Sequence, residues 1–237
     1  MSSPVETLPL STTKIDKNTY HIEDNGVRCF LFIGSERALL VDACRGQSDS
    51  LKTLVESLTD KPLMVVITHA DPDHIGYAAE FDKVHIHPMD IPRFYLNVSS
   101  ELHTVPINES DIVDIGDRRF DVVFIPGHTP GSIALLDREN RVIVTGDIVS
   151  NAPVFMFGEG RDFNMYMESV IKLIGMKSAF DHIYPAHGQF PIPLEQLDKA
   201  LAAAKKLLAG ELSPEEHPYP FPAKMYTFDG AGFLYNP

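Results

Sequence analysis

The chain has 237 residues, a formal net charge of −13 at pH 7, and 44% hydrophobic and 22% charged residues. These values are ordinary for a globular protein, and the length predicts a single domain over residues 1–237 with a sizeable core. The negative charge and the lack of any run of Lys or Arg argue against nucleic acid as a partner, because phosphate contacts need clustered basic residues. Two cysteines, Cys29 and Cys44, are too few for a disulfide framework.

The N-terminal stretch has neither the basic region nor the apolar core of a signal peptide. No apolar run in the sequence reaches the length of a membrane span. We therefore predict a cytoplasmic protein that acts on a small-molecule substrate and has no membrane partner. The apolar tail from Phe228 to Tyr235 leads us to expect a homodimer.

Short apolar runs alternate with helical patterns along the chain, which predicts an α/β fold. In the first half the strands are predicted at residues 29–33, 38–41, 63–67 and 84–86. Helices are predicted in the same half at residues 49–58, 75–81 and 88–96. In the second half the predicted strands are residues 120–125, 132–136, 142–145 and 182–184. The predicted helices there are residues 162–174 and 194–208, and two edge strands are predicted in the tail at residues 226–228 and 233–235.

The most informative segment directly follows the predicted strand 63–67. Within it, His69 and His74 offer imidazole nitrogens, and Asp71 and Asp73 offer carboxylate oxygens. A turn that leaves a buried strand can direct all four side chains to one point. Mixed nitrogen and oxygen ligands of this kind suit zinc, iron or manganese, so the segment predicts a metal site.

Three further potential ligands lie in similar surroundings. His128, Asp147 and His187 each follow a short apolar strand and are flanked by Gly or Pro. Gly permits backbone geometries that other residues avoid and Pro fixes the chain, so such turns hold side chains at set angles. Because α/β folds place their sites on loops at strand ends, the seven residues together predict one metal centre.

These motifs resemble the metallo-β-lactamase fold superfamily of metallohydrolases, in its glyoxalase II-like branch. The resemblance covers most of the chain, from about residue 18 to about residue 208, and its motifs are His69-Ala70-Asp71-Pro72-Asp73-His74, Gly127-His128-Thr129-Pro130-Gly131, Gly146-Asp147 and His187-Gly188. It implies an αββα sandwich, in which two mixed β-sheets lie face to face, with helices outside and the metals at one sheet edge.

The resemblance also implies two divalent metal ions, Zn or Fe/Mn, and a set of ligands for each. One metal would take His69, Asp71 and His128, and the second would take Asp73, His74 and His187, with Asp147 bridging the two. A hydroxide between the metals would attack an ester-like carbonyl, because two cations lower the pKa of a bound water. Asp73 would be catalytic by orienting this hydroxide. The substrate would be a thioester or a lactone of a small soluble molecule.

Asp71 departs from the family pattern, which usually has His at this position. The carboxylate reaches the metal through oxygen and adds one negative charge, which favours iron or manganese more than His would. Two alternatives follow: a non-haem diiron or iron redox protein for oxygen, nitric oxide or persulfide chemistry, and a non-catalytic sensor that binds a metal or ligand. The substitution Asp71→His is expected to raise the zinc affinity and to leave the fold intact.

A second group of residues is predicted to support the metals or to contact the substrate. Asp42 at a strand end, with Thr68 and Thr129 beside the ligands, is expected to hydrogen-bond ligand side chains. Residues 151–160 are expected to form a wall of the substrate pocket. The apolar side chains predicted to line this pocket are Tyr95, Phe155, Phe157 and Tyr166.

Overall fold

The computed structural model describes residues 9–219 and 221–236. These residues form two compact units, of which the first runs up to Ile107 and includes Asp114–Arg118. The second comprises Asn108–Val113 and the chain from Arg119 onwards. Across the described ranges, no helix is both long enough and apolar enough to cross a bilayer.

The first unit contains a seven-stranded sheet whose strands are neighbours in chain order. They are β1 (Ser11–Asp16), β2 (Thr19–Asp24), β3 (Val27–Ile33), β4 (Ala38–Val41), β5 (Leu63–Ile67), β6 (Lys83–Ile86) and β7 (His103–Pro106). The strands β1 to β4 pair antiparallel, whereas β4 to β7 pair parallel. The sheet is therefore mixed, and the carboxyl ends of β4, β5 and β6 meet at one edge, where α/β proteins bind their ligands.

The helices of the first unit are short. In α1 (Leu51–Leu58), Oγ of Ser50 accepts the N–H of Thr53 over 3.1 Å and caps the helix, while Leu51 and Val55 are buried. The prediction of a helix over residues 75–81 is wrong except for one 3₁₀ turn at Ala78–Glu80. The backbone N–H groups of Gly76 and Tyr77 donate instead to carbonyls just beyond β4, over 2.8 and 2.9 Å. Residues 88–96 likewise reduce to a 3₁₀ turn followed by α2 (Ile91–Phe94).

The second unit contains a three-stranded sheet and, apart from Asp114 at the end of one strand, a five-stranded sheet. The five-stranded sheet has the order β13-β11-β10-β9-β8, made of β8 (Ile112–Asp114), β9 (Arg119–Phe124), β10 (Ile133–Asp137), β11 (Val142–Gly146) and β13 (His182–Pro185). In it β10 is antiparallel to β9 and β11, and β11 is parallel to β13. The three-stranded sheet has the order β12-β15-β14, made of β12 (Val154–Phe155), β14 (Lys224–Phe228) and β15 (Ala231–Tyr235).

Two longer helices belong to the second unit, α3 (Phe163–Gly175) and α4 (Glu195–Leu208), and they pack against each other. Asp162 caps α3, because its Oδ1 accepts the first free backbone N–H groups of the helix over 2.8 and 3.0 Å. The buried face of α3 follows the helical period through Phe163, Tyr166, Val170 and Leu173. This face belongs to the hydrophobic core of the unit.

The tail of the chain is more deeply integrated than predicted. The strand β15 lies in the middle of its sheet, between β12 and β14, so it is not an edge strand. Phe233 and Leu234 are fully buried within the second unit. Because these side chains are buried inside the second unit, the tail gives no support to the expected homodimer. The homodimer itself stays an untested prediction.

Candidate metal centre

The first set of predicted ligands lies on the loop that leaves β5 in the first unit. His69, Asp71 and His74 are all buried. Nε2 of His69 is 3.7 Å from Oδ2 of Asp71, and the rings of His69 and His74 have centroids 4.0 Å apart. A ligand atom of Asp73 also lies within 4.8 Å of one of His74. The loop therefore brings the four side chains together as neighbouring pairs.

The separation of these atoms fits a shared cation better than a direct hydrogen bond. The 3.7 Å between His69 and Asp71 exceeds the usual donor–acceptor distance. Two ligand atoms bound tetrahedrally at about 2.1 Å from one metal are about 3.4 Å apart. The imidazole nitrogen and carboxylate oxygen are also the donor types that zinc, iron and manganese accept. The residues present can thus hold a divalent metal.

Asp42 is connected by hydrogen bonds to both histidines of the first set, His69 and His74. Its Oδ2 lies 2.9 Å from Nδ1 of His74, and its Oδ1 accepts the backbone N–H of Thr68 over 2.7 Å. The hydroxyl of Thr68 donates to Asp42 Oδ2 over 2.8 Å and lies 3.1 Å from Nδ1 of His69. Since both Nδ1 atoms are engaged, both histidines offer Nε2 towards a metal.

The backbone at Asp42 adopts a conformation that favours glycine. Its φ is +68°, and its N–H donates to the carbonyl of Val66 on β5 over 2.8 Å. Left-handed backbone at a non-glycine residue costs free energy and is concentrated at functional sites. At Asp42 this backbone conformation turns the chain at the end of β4, while the carboxylate keeps its hydrogen bonds to Thr68 and His74.

The short α2 segment holds the same loop at two consecutive residues. The buried Asp90 accepts the N–H of Ala70 through Oδ2 over 2.8 Å. Arg93 donates from Nε and Nη2 to Oδ1 of Asp71 over 2.9 and 2.7 Å. Neither Asp90 nor Arg93 was predicted from the sequence. The only signal for Arg93 was the extra negative charge of Asp71, which a nearby cation would offset.

Asp73 is the most accessible of the predicted ligands in the first unit, with 27% of its side chain exposed. Its Oδ2 lies 3.7 Å from Nη2 of Arg45. The turn that carries Arg45 is fixed by Asp24, whose Oδ2 accepts the Arg45 N–H over 3.1 Å. A partly exposed carboxylate suits the predicted catalytic role, because it can reach a water molecule as well as a metal.

The second set of predicted ligands lies at strand ends of the second unit. The parallel strands β11 and β13 pair Gly146 with Pro185, so the residues that follow them emerge at the same edge. Oδ2 of Asp147 is 3.4 Å from Nε2 of His187 and 3.8 Å from Nε2 of His128. These separations again match neighbouring ligands on a metal. Asp147 is placed between two histidines, as a bridging ligand requires.

The turn before His128 depends on a glycine. Gly127 has φ +126°, and an added Cβ would lie 2.2 Å from the backbone nitrogen of Tyr166 on α3. Nδ1 of His128 lies 3.0 Å from the carbonyl oxygen of Phe155 on β12. The ring is thereby oriented with Nε2 on the side of Asp147, in the same manner as the histidines of the first unit.

Thr129, which was expected to support the ligands, is bonded within its own turn. Its hydroxyl lies 2.8 Å from Oγ of Ser132, which also accepts the Thr129 N–H over 3.0 Å. Tyr95, expected at the substrate pocket, donates its hydroxyl to the carbonyl of Leu102 over 2.8 Å in the first unit. Both residues therefore make contacts that stabilise local structure.

Two of the predicted pocket residues belong to an aromatic cluster in the second unit, which we define as Phe155, Phe157, Tyr219 and Phe221. The ring of Phe155 lies 5.8 Å from Phe157, 6.0 Å from Tyr219 and 5.2 Å from Phe221. Tyr219 and Phe221 remain more than a third exposed. Phe155 and Phe157 were predicted as pocket residues from the sequence, whereas Tyr219 and Phe221 were not, because they lie far from them along the chain.

Tyr166 is not on a pocket wall. It has no exposed surface, and its ring packs against Phe163 and Phe233 with centroids 6.0 and 5.4 Å apart. Burial raises the pKa of its hydroxyl well above the ordinary value. The prediction that Tyr166 lines the substrate pocket is wrong, because the helical period of α3 places its side chain in the core.

Comparison with known proteins identifies related chains. Acyl-coenzyme A thioesterase MBLAC2 of Gallus gallus is 24% identical over 206 residues, which cover 71% of this chain and 74% of that protein. A hydroxyacylglutathione hydrolase of Francisella tularensis subsp. tularensis is 23% identical over 176 residues, covering 73% of this chain and 66% of that protein. Both relatives carry the names of hydrolases.

A solved structure has the same fold. The metallo-β-lactamase from Pontibacter korlensis matches with a TM-score of 0.72 at 16% identity, over 83% of this chain and 99% of that chain. This likeness confirms the predicted metallo-β-lactamase fold with its mixed sheets and helices. The family model described as "Metallo-beta-lactamase superfamily" matches residues 22–210, which is most of the sequence. The chain therefore belongs to the metallo-β-lactamase superfamily.

Proposed function

We propose that this protein is a metal-dependent hydrolase that cleaves thioesters of small acyl compounds. The broader prediction, a hydrolase that binds a divalent metal, is confirmed by the family and by the hydrolase names of its relatives. The thioester is the proposed part. It is supported by one relative named as an acyl-coenzyme A thioesterase and another named as a hydroxyacylglutathione hydrolase.

The observation that carries the proposal is the spacing of the ligand atoms. In each unit, Nε2 of a histidine and Oδ2 of an aspartate lie 3.4 to 3.8 Å apart. We propose that one cation is held by His69, Asp71 and His128 and a second by Asp73, His74 and His187, with Asp147 shared between them. This assignment follows the order of the family motifs in the sequence.

A divalent cation in such a ligand set supplies a Lewis acid for the thioester carbonyl and lowers the pKa of a bound water towards neutrality. The chain's own residues orient the reactants. Asp42 fixes the imidazoles of His69 and His74, directly and through Thr68. Asp73 would accept a hydrogen bond from the attacking water and direct its oxygen to the carbonyl carbon.

A thioester is well matched to this set of residues. Water adds its oxygen to the carbonyl carbon, the carbon–sulfur bond breaks, and the sulfur leaves with the bonding electrons as a thiolate. Because a thiol has a pKa of about 8.5, the thiolate leaves near neutral pH without a dedicated general acid. The proton released from water is then taken up by solvent or by the departing thiolate.

We further propose that the aromatic cluster binds the acyl group. The cluster is joined to the site through Phe155, whose carbonyl oxygen lies 3.0 Å from Nδ1 of the ligand His128. Tyr219 and Phe221 are 37% and 39% exposed, so their rings are accessible to an apolar group. Burying an acyl chain on aromatic rings stabilises the complex by about 25 cal/mol for each Å² of apolar surface removed from water.

The experiment measures thiol release from short and long acyl-coenzyme A thioesters and from S-lactoylglutathione. Ring opening of an N-acyl homoserine lactone is followed separately, through the acid that it produces. The protein is tested after chelation and after reloading with zinc, manganese or iron. Thiol release that stops on chelation and returns with metal would support the proposal. Oxygen uptake by the iron-loaded protein without hydrolysis would instead support the redox alternative, and tight binding of one compound without turnover would support a sensor.

A further inference from the structure

Asp71 has a partner that the usual histidine would not need. Nε and Nη2 of Arg93 donate to Oδ1 of Asp71 over 2.9 and 2.7 Å. The other oxygen, Oδ2, faces Nε2 of His69 at 3.7 Å. The two oxygens of one carboxylate thus have different neighbours, a guanidinium on one side and a ligand histidine on the other.

The burial of Asp71 and the partial burial of Arg93 strengthen the electrostatic attraction between them. Only 8% of the Asp71 side chain and 29% of the Arg93 side chain are exposed, so solvent screens the pair weakly. The neighbouring Asp90 is fully buried and accepts the N–H of Ala70 over 2.8 Å. Contacts from Asp90 and Arg93 therefore fix two consecutive residues of the metal-binding loop, and the position of the guanidinium relative to Asp71 is well defined.

We propose that Arg93 is a positioning residue that makes Asp71 the electrostatic equivalent of a neutral histidine ligand, and that it thereby sets the metal preference of the centre. This inference rests on the proposed ligand set. With Oδ1 held by the guanidinium, Asp71 presents one oxygen to a cation. The two opposite charges cancel, so the ligand position has the same net charge as imidazole.

The consequence concerns the choice of metal. Carboxylates that carry full charge and offer both oxygens favour hard cations such as Mn²⁺, whereas zinc accepts mixed nitrogen and oxygen ligands at low coordination number. Arg93 would therefore make the site bind zinc in preference to manganese. Asp71 by itself would move it towards manganese or iron, as expected from the sequence.

The test uses Arg93→Ala in the full chain. We measure zinc and manganese affinities by competition with a chromophoric chelator, and the visible spectrum of the cobalt-loaded protein. The ratio of zinc to manganese affinity is expected to fall about tenfold or more, as is common when a residue that supports a metal ligand is removed. The cobalt bands are expected to weaken, because the released Oδ1 would raise the coordination number. Arg93→Lys keeps the charge and should give a smaller fall.

A matched control is Arg141→Ala, which removes an arginine that is also paired with an aspartate, Asp181 in the second unit. Arg141 donates from Nη2 to Oδ1 of Asp181 over 2.7 Å and from Nε to Oδ2. This variant should keep the wild-type affinity ratio and cobalt spectrum. In contrast, Asp71→His alone leaves the guanidinium beside an imidazole and should lower the zinc affinity. The double variant Asp71→His/Arg93→Ala should recover it.

The outcomes separate this inference from the proposed function. If folded Arg93→Ala keeps the wild-type affinity ratio and cobalt spectrum, the role of Arg93 is refuted while the metal centre stands. If Asp71→Ala binds as many ions as the wild type with the same affinities, Asp71 is not a ligand and the ligand set itself is wrong. If Arg93→Ala does not fold, Arg93→Lys and Asp71→His/Arg93→Ala are measured instead. The inference is refuted if Arg93→Lys keeps the wild-type ratio of zinc to manganese affinity and Asp71→His/Arg93→Ala binds zinc no better than Asp71→His.

Discussion

Oδ2 of Asp42 lies 2.9 Å from Nδ1 of His74, and the same buried carboxylate accepts the Thr68 hydroxyl that contacts His69. One side chain at the end of β4 thus sets the orientation of the two histidines after β5 that are predicted to be ligands. The arrangement is the type of outer hydrogen bond that fixes the tautomer and raises the basicity of a metal-binding imidazole. The adjacent parallel strands make it possible, because they end at one edge.

Replacing Asp42 by Asn tests this relationship. The amide tolerates the left-handed backbone at this position, so the fold should persist, but it removes the charge and one acceptor. We expect the metal affinity to fall roughly 10- to 100-fold. Asp137→Asn is the matched control, since Asp137 is also fully buried and accepts N–H groups from a turn in the second unit. Chelator competition would contradict the account if both variants retained wild-type affinity.

The turn that carries His128 should not tolerate a side chain at Gly127. Gly127→Ala combines φ +126° with a Cβ only 2.2 Å from the Tyr166 backbone, so α3 must move. We expect the free energy of unfolding to fall by about 3 kcal/mol or more, measured by denaturant titration. At Gly175 an added Cβ meets nothing within 4 Å, and Gly175→Ala should change stability by less than about 1 kcal/mol. Equal effects would argue against the described turn.

Tyr166 is predicted to serve packing alone. Its buried hydroxyl has no hydrogen-bond partner among the described protein atoms, so Tyr166→Phe should alter the free energy of unfolding by less than about 1 kcal/mol. Tyr166→Ala should destabilise the protein by roughly 3 to 5 kcal/mol through the cavity it leaves. The thermal unfolding midpoints of the two variants measure this difference. A change in KM for the Phe variant, with unchanged stability, would mean that the hydroxyl contacts substrate.

The aromatic cluster predicts a dependence on acyl chain length. Phe221→Ala removes a ring that is 39% exposed and packs on Phe155 at 5.2 Å. We expect kcat/KM for long acyl thioesters to fall about tenfold, equivalent to roughly 1.4 kcal/mol of lost apolar contact, with little change for acetyl thioesters. Leu96→Ala, which truncates an exposed apolar residue of the first unit, is the control. A uniform fall for all chain lengths would rule out acyl binding by the cluster.

The apolar runs that form the buried strands were readable from the sequence, and the predicted metal ligands follow several of them. Strands such as β4 and β11 are buried along their whole length, so their hydrophobic runs predict them directly. In contrast, β1 is polar and exposed and exists because it pairs with β2. Such short or polar strands form by backbone pairing with a neighbouring strand and carry no long apolar run, so β1, β2, β7, β8 and β12 were all missed.

Among the residues that hydrogen-bond to the predicted ligands or their loop, some could be predicted from the sequence and others could not. Asp42 was predicted because it lies at a strand end that the family motif uses. Asp90 and Arg93 were missed, because their contacts are to residues 20 and 22 positions away in the sequence. The pair of Arg93 and Asp71 also changes one expectation: Asp71→His by itself should now weaken zinc binding, since the guanidinium loses its carboxylate.

Thioester hydrolysis by this protein is expected to depend on the bound metal. The most direct measurement follows thiol release from an acyl-coenzyme A thioester while the chelated protein is titrated with zinc. We predict no release at the start, a rate that rises with added zinc and reaches a plateau at two equivalents, and no recovery in His128→Ala. Hydrolysis that persists after chelation, or no hydrolysis at any metal loading, would contradict the account.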